Sequence, residues 1–194
     1  MRNLLVILLI GFFISCSNED ADKKNTLNKS SEKHIYKSGP LFYAVVSDLK
    51  NKISKTIRGI EIGDHKDSVF LREKGDRYIK GKSADGYKQF LGNNSIFSEY
   101  LFDKNQVLMS ASIDVYVDND SIGKNLYEDL LYYYSSHLGK GFNGMDRYYI
   151  WNAQGSKKQN FVLGIRNNPS YLSNSENFES AISSVTIDLQ EIIK

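Results

Sequence analysis

Residues 107–117 constrain this chain more than any other stretch. Val107, Met109, Ala111, Ile113, Val115 and Val117 share one parity, and Ser110, Ser112 and Asp114 fall on the other. Six apolar residues in alternation make a strand with one face on a core and one mostly in water.

The chain on both sides reads as partners for that strand. Upstream, strands are expected over 77–81 and 87–91, flanking a turn that carries Asp85-Gly86, a strong hairpin signal. Gly92-Asn93-Asn94 then turns the chain into a strand over 96–102. Downstream, Ser121 is placed to cap a helix whose stripe is Leu126, Leu130, Leu131, Tyr134 and Leu138, closed by Gly139. Strands follow over 146–152 and 160–166, and Val185, Ile187 and Leu189 alternate in a last one. Earlier, Pro40 opens a run in which Leu41, Val45, Leu49, Ile53 and Ile57 keep helical spacing. A strand over 42–46 is the competing reading. Asp64 is a candidate N-cap for a helix through Val69, Phe70 and Leu71 that closes at Lys74-Gly75. Runs of strands segregated from two or three helices define an α+β fold with an antiparallel β-sheet layer.

The two halves echo each other. Lys74-Gly75-Asp76-Arg77-Tyr78-Ile79 and Gly144-Met145-Asp146-Arg147-Tyr148-Tyr149-Ile150 both lead from a helix exit through Asp-Arg-Tyr into a strand, 70 residues apart. A tandem of two such helix-plus-strands units resembles the β-lactamase-inhibitor-protein family. A single unit resembles the small lipoprotein of the outer-membrane barrel-assembly machinery. Either resemblance implies binding to other proteins and carries over no individual residue.

The N-terminus speaks to location. Arg2 is followed by an apolar run over 4–14, broken only by Gly11, that stops at Ser15-Cys16. A charged start, a short apolar run and a small residue form the pattern of an export signal. The run rises only about 16 Å as a helix, roughly half a bilayer core. Phe13-Ile14-Ser15-Cys16 resembles the lipobox of bacterial lipoproteins, with Phe13 where leucine is usual. The resemblance implies a signal peptide over 1–15 and a lipidated Cys16 as the first mature residue. Ser17 and the acidic residues after it resemble the sorting context of outer-membrane lipoproteins. Residues 16–38 read as the lipidated cysteine and a flexible tether, reaching about 25 Å as a coil, and 39–194 as the globular domain.

Composition narrows the chemistry. Without Arg2, 24 basic residues face 23 acidic ones, so the basic stripe of a nucleic-acid binder is missing. Cys16 is the one cysteine, which leaves the domain no internal disulfide, no thiol nucleophile and no cysteine metal ligand. His34, His65 and His137 form no close-spaced ligand pair. No GxSxG elbow occurs, and the pair Glu61 and Asp64 is too common a feature to mark a glycosidase. Gly139-Lys140-Gly141-Phe142-Asn143-Gly144 fits GxGxxG but follows a helix and precedes a strand, the reverse of a phosphate-binding turn. Asp118-Asn119-Asp120 begins like a calcium loop, yet Ile122 occupies the fifth position and Asp129 the twelfth, so acidic helix capping explains it.

Aromatics carry the remaining signal. Tyr132, Tyr133 and Tyr134 are consecutive on a helix and span about 200° of it, so they cannot all face one core stripe. Tyr148, Tyr149 and Trp151 lie on the strand expected next. Tyr132, Tyr133, Tyr149 and Trp151 are therefore the candidate binding patch. The expected function is an outer-membrane-type lipoprotein whose domain binds another protein, without catalysis, cofactor or metal. That partner makes it an envelope-assembly accessory or an inhibitor or immunity protein. A surface glycan binder is the alternative, and a hydrolase comes third.

Overall fold

The computed structural model describes residues 34–46, 57–170 and 182–192. Cys16, the signal segment and most of the tether lie outside them. The packed unit begins at Tyr36, ahead of Gly39.

Helix α1 (Pro40–Val46) buries Leu41, Phe42, Val45 and Val46, so the helical reading of this stretch is the one observed. Its expected continuation over 47–56 falls outside the described residues, and Ile57 forms a bridge with Ile60 in place of a helical turn. Helix α2 (Lys66–Arg72) is capped by His65, whose ring nitrogen accepts from the Asp67 N–H at 3.3 Å. Asp64 is not the cap. Its carboxylate turns inward, 2.6 Å from Arg72 and 2.9 Å from Lys157.

The strands are β1 (Asp76–Lys80), β2 (Ala84–Leu91), β3 (Asn94–Phe102) and β4 (Leu108–Val117). After α3 (Asp120–Leu138) come β5 (Phe142–Asn143), β6 (Tyr149–Gln154), β7 (Asn160–Asn168) and β8 (Ser183–Glu191). All pair antiparallel in one eight-stranded sheet, ordered β1-β2-β3-β4-β8-β7-β6-β5. The α+β reading with an antiparallel sheet therefore stands, with three α-helices among the described residues.

Register decides the two faces. Ile113 pairs with Ile187 and Ile187 with Ile165, while Ala111 pairs with Leu189 and Leu189 with Leu163. These rows, buried, meet Leu126, Leu130 and Tyr134 of α3. Each leucine or isoleucine among them contributes about 1.5–3 kcal/mol by leaving water. Asn119, not Ser121, caps α3, its side-chain oxygen accepting the Ile122 N–H at 3.0 Å. Gly139, at φ +83°, lets the chain leave the helix in a conformation other residues resist.

Three sequence expectations change. At the start of β4, Leu101 pairs with Ser110 and Phe102 with Leu108, so Met109 is an extra residue. This bulge turns Leu108 into the core and takes Val107 and Met109 off the buried parity. Asp85-Gly86 lies inside β2, and the connection falls at 81–83, closed by Gly81 N–H donating to the Ala84 carbonyl at 2.9 Å. Of the strand expected over 146–152, Asp146 and Arg147 belong to a 3-10 turn (Met145–Arg147) and β6 begins only at Tyr149, while the short β5 lies before the turn.

Candidate functional site

The sequence-derived aromatic patch does not assemble. Trp151 and Tyr133 are core residues, 1% and 4% exposed. The Trp151 indole N–H donates to the Gly139 carbonyl at 3.0 Å, and Tyr133 packs edge-on to Phe42. Tyr149 is half-buried against Trp151, which leaves Tyr132 as the exposed member, at 48%. The cause is tertiary. Helix α1 lies against α3 and takes the Tyr133 side that a helical wheel leaves open.

The other motifs resolve as local structure. Asp120 accepts from the Ser170 N–H at 2.7 Å and hydroxyl at 2.9 Å, and His137 Nδ1 sits 2.7 Å from the Tyr133 carbonyl. Among the described residues, no three His, Cys, Asp or Glu side chains converge as a metal site.

A different surface concentrates chemistry. The parity opposite the core puts Phe97, Asp114, Thr186 and Arg166 in one row across β3, β4, β8 and β7, beginning with Lys88 on β2. The neighbouring row runs Gly86, Glu99, Ser112, Asp188 and Gly164. No described helix lies on this face, and Phe90, Leu101 and Tyr116 stand exposed on it. Only the alternation of β4, with Ser112 and Asp114 on the water side, hinted at it in the sequence.

Two tyrosines use the same device there. Tyr78 lies over Gly86, where a Cβ would come within 2.9 Å of its ring, and donates to Glu99 at 2.9 Å. Tyr148 lies over Gly164, where a Cβ would likewise come within 2.9 Å of its ring, and donates to Asp188 at 2.6 Å. Ser112 donates to the other Asp188 oxygen at 2.6 Å, and Thr186 to Asp114 at 2.7 Å. Burial, reinforced by the bond to Glu99, pushes the Tyr78 phenol up to about 12. Burial and then Asp188 push Tyr148 up as well. Asp114 is raised chiefly by burial and by Asp188 and Glu99 nearby, against the pull of Thr186 and Arg166.

Rings and cations flank these carboxylates. Phe97 meets Tyr78 at 76° and Tyr116 at 90°, both edge-to-face. Lys88 stands 4.5 Å from the Phe90 centroid and 4.9 Å from that of Phe97. The Arg166 guanidinium lies 4.7 Å over Tyr148, with its buried Nε lacking a hydrogen-bond acceptor.

Behind the sheet Glu73 is enclosed by its partners. Arg58 grips Glu73 through Nε at 2.9 Å and a terminal nitrogen at 3.0 Å, and also reaches Gln89 at 2.9 Å. Ser98 and Tyr100 donate to the same Glu73 carboxylate. Among the described residues, no helix is long and apolar enough to cross a membrane. Comparison with known protein families, curated proteins and solved structures found no match.

Proposed function

We propose that this chain is an outer-membrane-type lipoprotein, anchored through Cys16, whose α+β domain binds another protein through the uncovered face of its sheet. One observation carries the binding surface: exposed Phe90 and Tyr116 flank β3 at Ser95, with Phe97 edge-on to Tyr116, on a sheet face that no described helix covers. A contiguous apolar patch among polar residues is the mark of an interaction site. Tyr132 and Tyr43 stand exposed on either side of Tyr36 as a smaller aromatic group on the helices. The element order supports the tandem architecture as part of this reading. A helix precedes four strands twice, and the sets meet at β4 and β8. The Asp-Arg-Tyr echo pairs β1 with β6 instead, so we place the repeat in the architecture and not in that motif. Envelope-assembly accessory and inhibitor or immunity protein are both compatible roles.

Two measurements test the reading. Cys16→Ala should abolish fatty-acid labelling and release the protein from membranes; a retained label removes the anchor. Capture of an envelope protein by the immobilised chain should survive Tyr132→Ala and be lost in Phe97→Ala/Tyr116→Ala. Capture indifferent to the face variant, or a glycan-array signal that the variant abolishes, overturns the protein-docking reading.

A further inference from the structure

We infer that the partner presents a lysine or arginine to the uncovered face, seated across β3, β4 and β8 among Glu99, Asp114 and Asp188. This rests on the docking reading above and names the chemistry of what docks.

Three enclosed carboxylates of the domain are ion-paired. Glu73 has Arg58, Asp64 has Arg72 and Lys157, and Asp85 has Arg77 and Lys66. Glu61 accepts from the Ser156 N–H and hydroxyl. The face carboxylates differ. Among the described residues, no lysine or arginine comes within ion-pair distance of Glu99, Asp114 or Asp188. Their donors are hydroxyls alone, from Tyr78, Thr186, Ser112 and Tyr148. Hydroxyls fix the direction of a carboxylate and leave its charge in place. The Tyr78 and Thr186 bonds take Glu99 Oε1 and Asp114 Oδ1, so among the described residues the second oxygen of each has no hydrogen-bond donor.

The spread of the row selects the occupant. Three neighbouring strands cover about 10 Å, too wide for one metal ion, in keeping with the absence of a converging ligand set among the described residues. A guanidinium or ammonium on a long apolar stem suits it, the stem lying along Phe97 and Tyr116 and the head meeting the free oxygens. Lys88 and Arg166 are held on rings at either side. They repel a cation arriving at the flanks and so confine it to the centre. Attraction between opposite charges then sets which partner docks and in which register.

The test is selection from a random-sequence peptide library against the immobilised full chain. Recovered peptides should be enriched in lysine or arginine next to apolar residues, and salt should weaken them. Their affinity should fall about tenfold or more when the charges are removed in Glu99→Gln/Asp114→Asn/Asp188→Asn, the scale of a lost charge-assisted contact. If that variant fails to fold, Glu99→Gln alone, at an exposed position, should still give a measurable loss. Neutral or acidic peptides that nevertheless depend on Phe97 and Tyr116 overturn the basic-residue inference and leave the docking face standing. Peptides indifferent to Phe97→Ala/Tyr116→Ala overturn both.

Discussion

Glu73 and Asp114 lie on opposite sides of the same sheet. Glu73 is enclosed behind it, gripped by Arg58 and further bonded by Ser98 and Tyr100. Asp114, in front, has one hydroxyl donor, Thr186, and Arg166 acts on it only at a distance. The first arrangement satisfies a charge that the fold could not otherwise enclose. The second keeps a charge partly desolvated without a countercharge among the described residues, which is unfavourable for the isolated domain. That contrast separates a part that holds the structure together from a part shaped for something outside it.

The strongest way to break the contrast is to remove the charge behind the sheet. Glu73→Ala leaves Arg58 buried and unpaired and should cost about 3–5 kcal/mol, read by urea denaturation. A loss below about 1 kcal/mol would mean that the enclosed pair is not structural.

Next in size is the face itself. Phe97→Ala/Tyr116→Ala should weaken partner binding by about 2 kcal/mol or more and shift the thermal midpoint far less than Glu73→Ala does. Equal losses of stability from both variants would make the two sides alike.

Gly164→Ala is smaller. Its Cβ would press on the Tyr148 ring, at 2.9 Å from Cδ1, at a cost of about 1–2 kcal/mol in overpacking. Displacing the phenol from Asp188 should also bring its pKa down towards the ordinary tyrosine value, which a phenolate absorbance titration follows. An unchanged titration would show that the glycine does not seat the ring.

Asp114→Asn should have the smallest effect, and of opposite sign. The folded-state pKa of Asp114 is raised, so its contribution to stability is fully present below the unfolded pKa and is lost as pH rises through the folded one. Replacing it by the neutral amide should therefore stabilise the domain at neutral pH, by less than about 1 kcal/mol given solvent screening. The advantage should vanish as the pH falls below the ordinary aspartate range. Destabilisation at neutral pH would place Asp114 with Glu73.

How much of this was legible depended on the distance between the residues involved. The stripe of Leu126, Leu130 and Tyr134 and the parity of Ala111, Ile113 and Val115 are local periodicities, and both faces they mark are buried. The bulge at Met109 is an insertion relative to β3, so strict alternation within β4 could not reveal it. Asp85-Gly86 carries turn chemistry, but its glycine is there because Tyr78 lies over it, and its aspartate meets Arg77 and Lys66. Trp151 reads as a surface aromatic until its indole finds the Gly139 carbonyl. Of the candidate site, Ser112 and Asp114 were visible as the wet parity of one strand. Asp188 joins them only through the β4–β8 pairing, between residues far apart in the chain.

Site-specific photocrosslinking tests the central claim most directly. The photoreactive residue p-benzoylphenylalanine is placed at position 116 on the uncovered face or at 132 on α3, in cells that make the full chain. A covalent adduct with another protein from position 116, and none from 132, is the expected result. An adduct from 132 with none from 116 would contradict the account and return the binding surface to the helix.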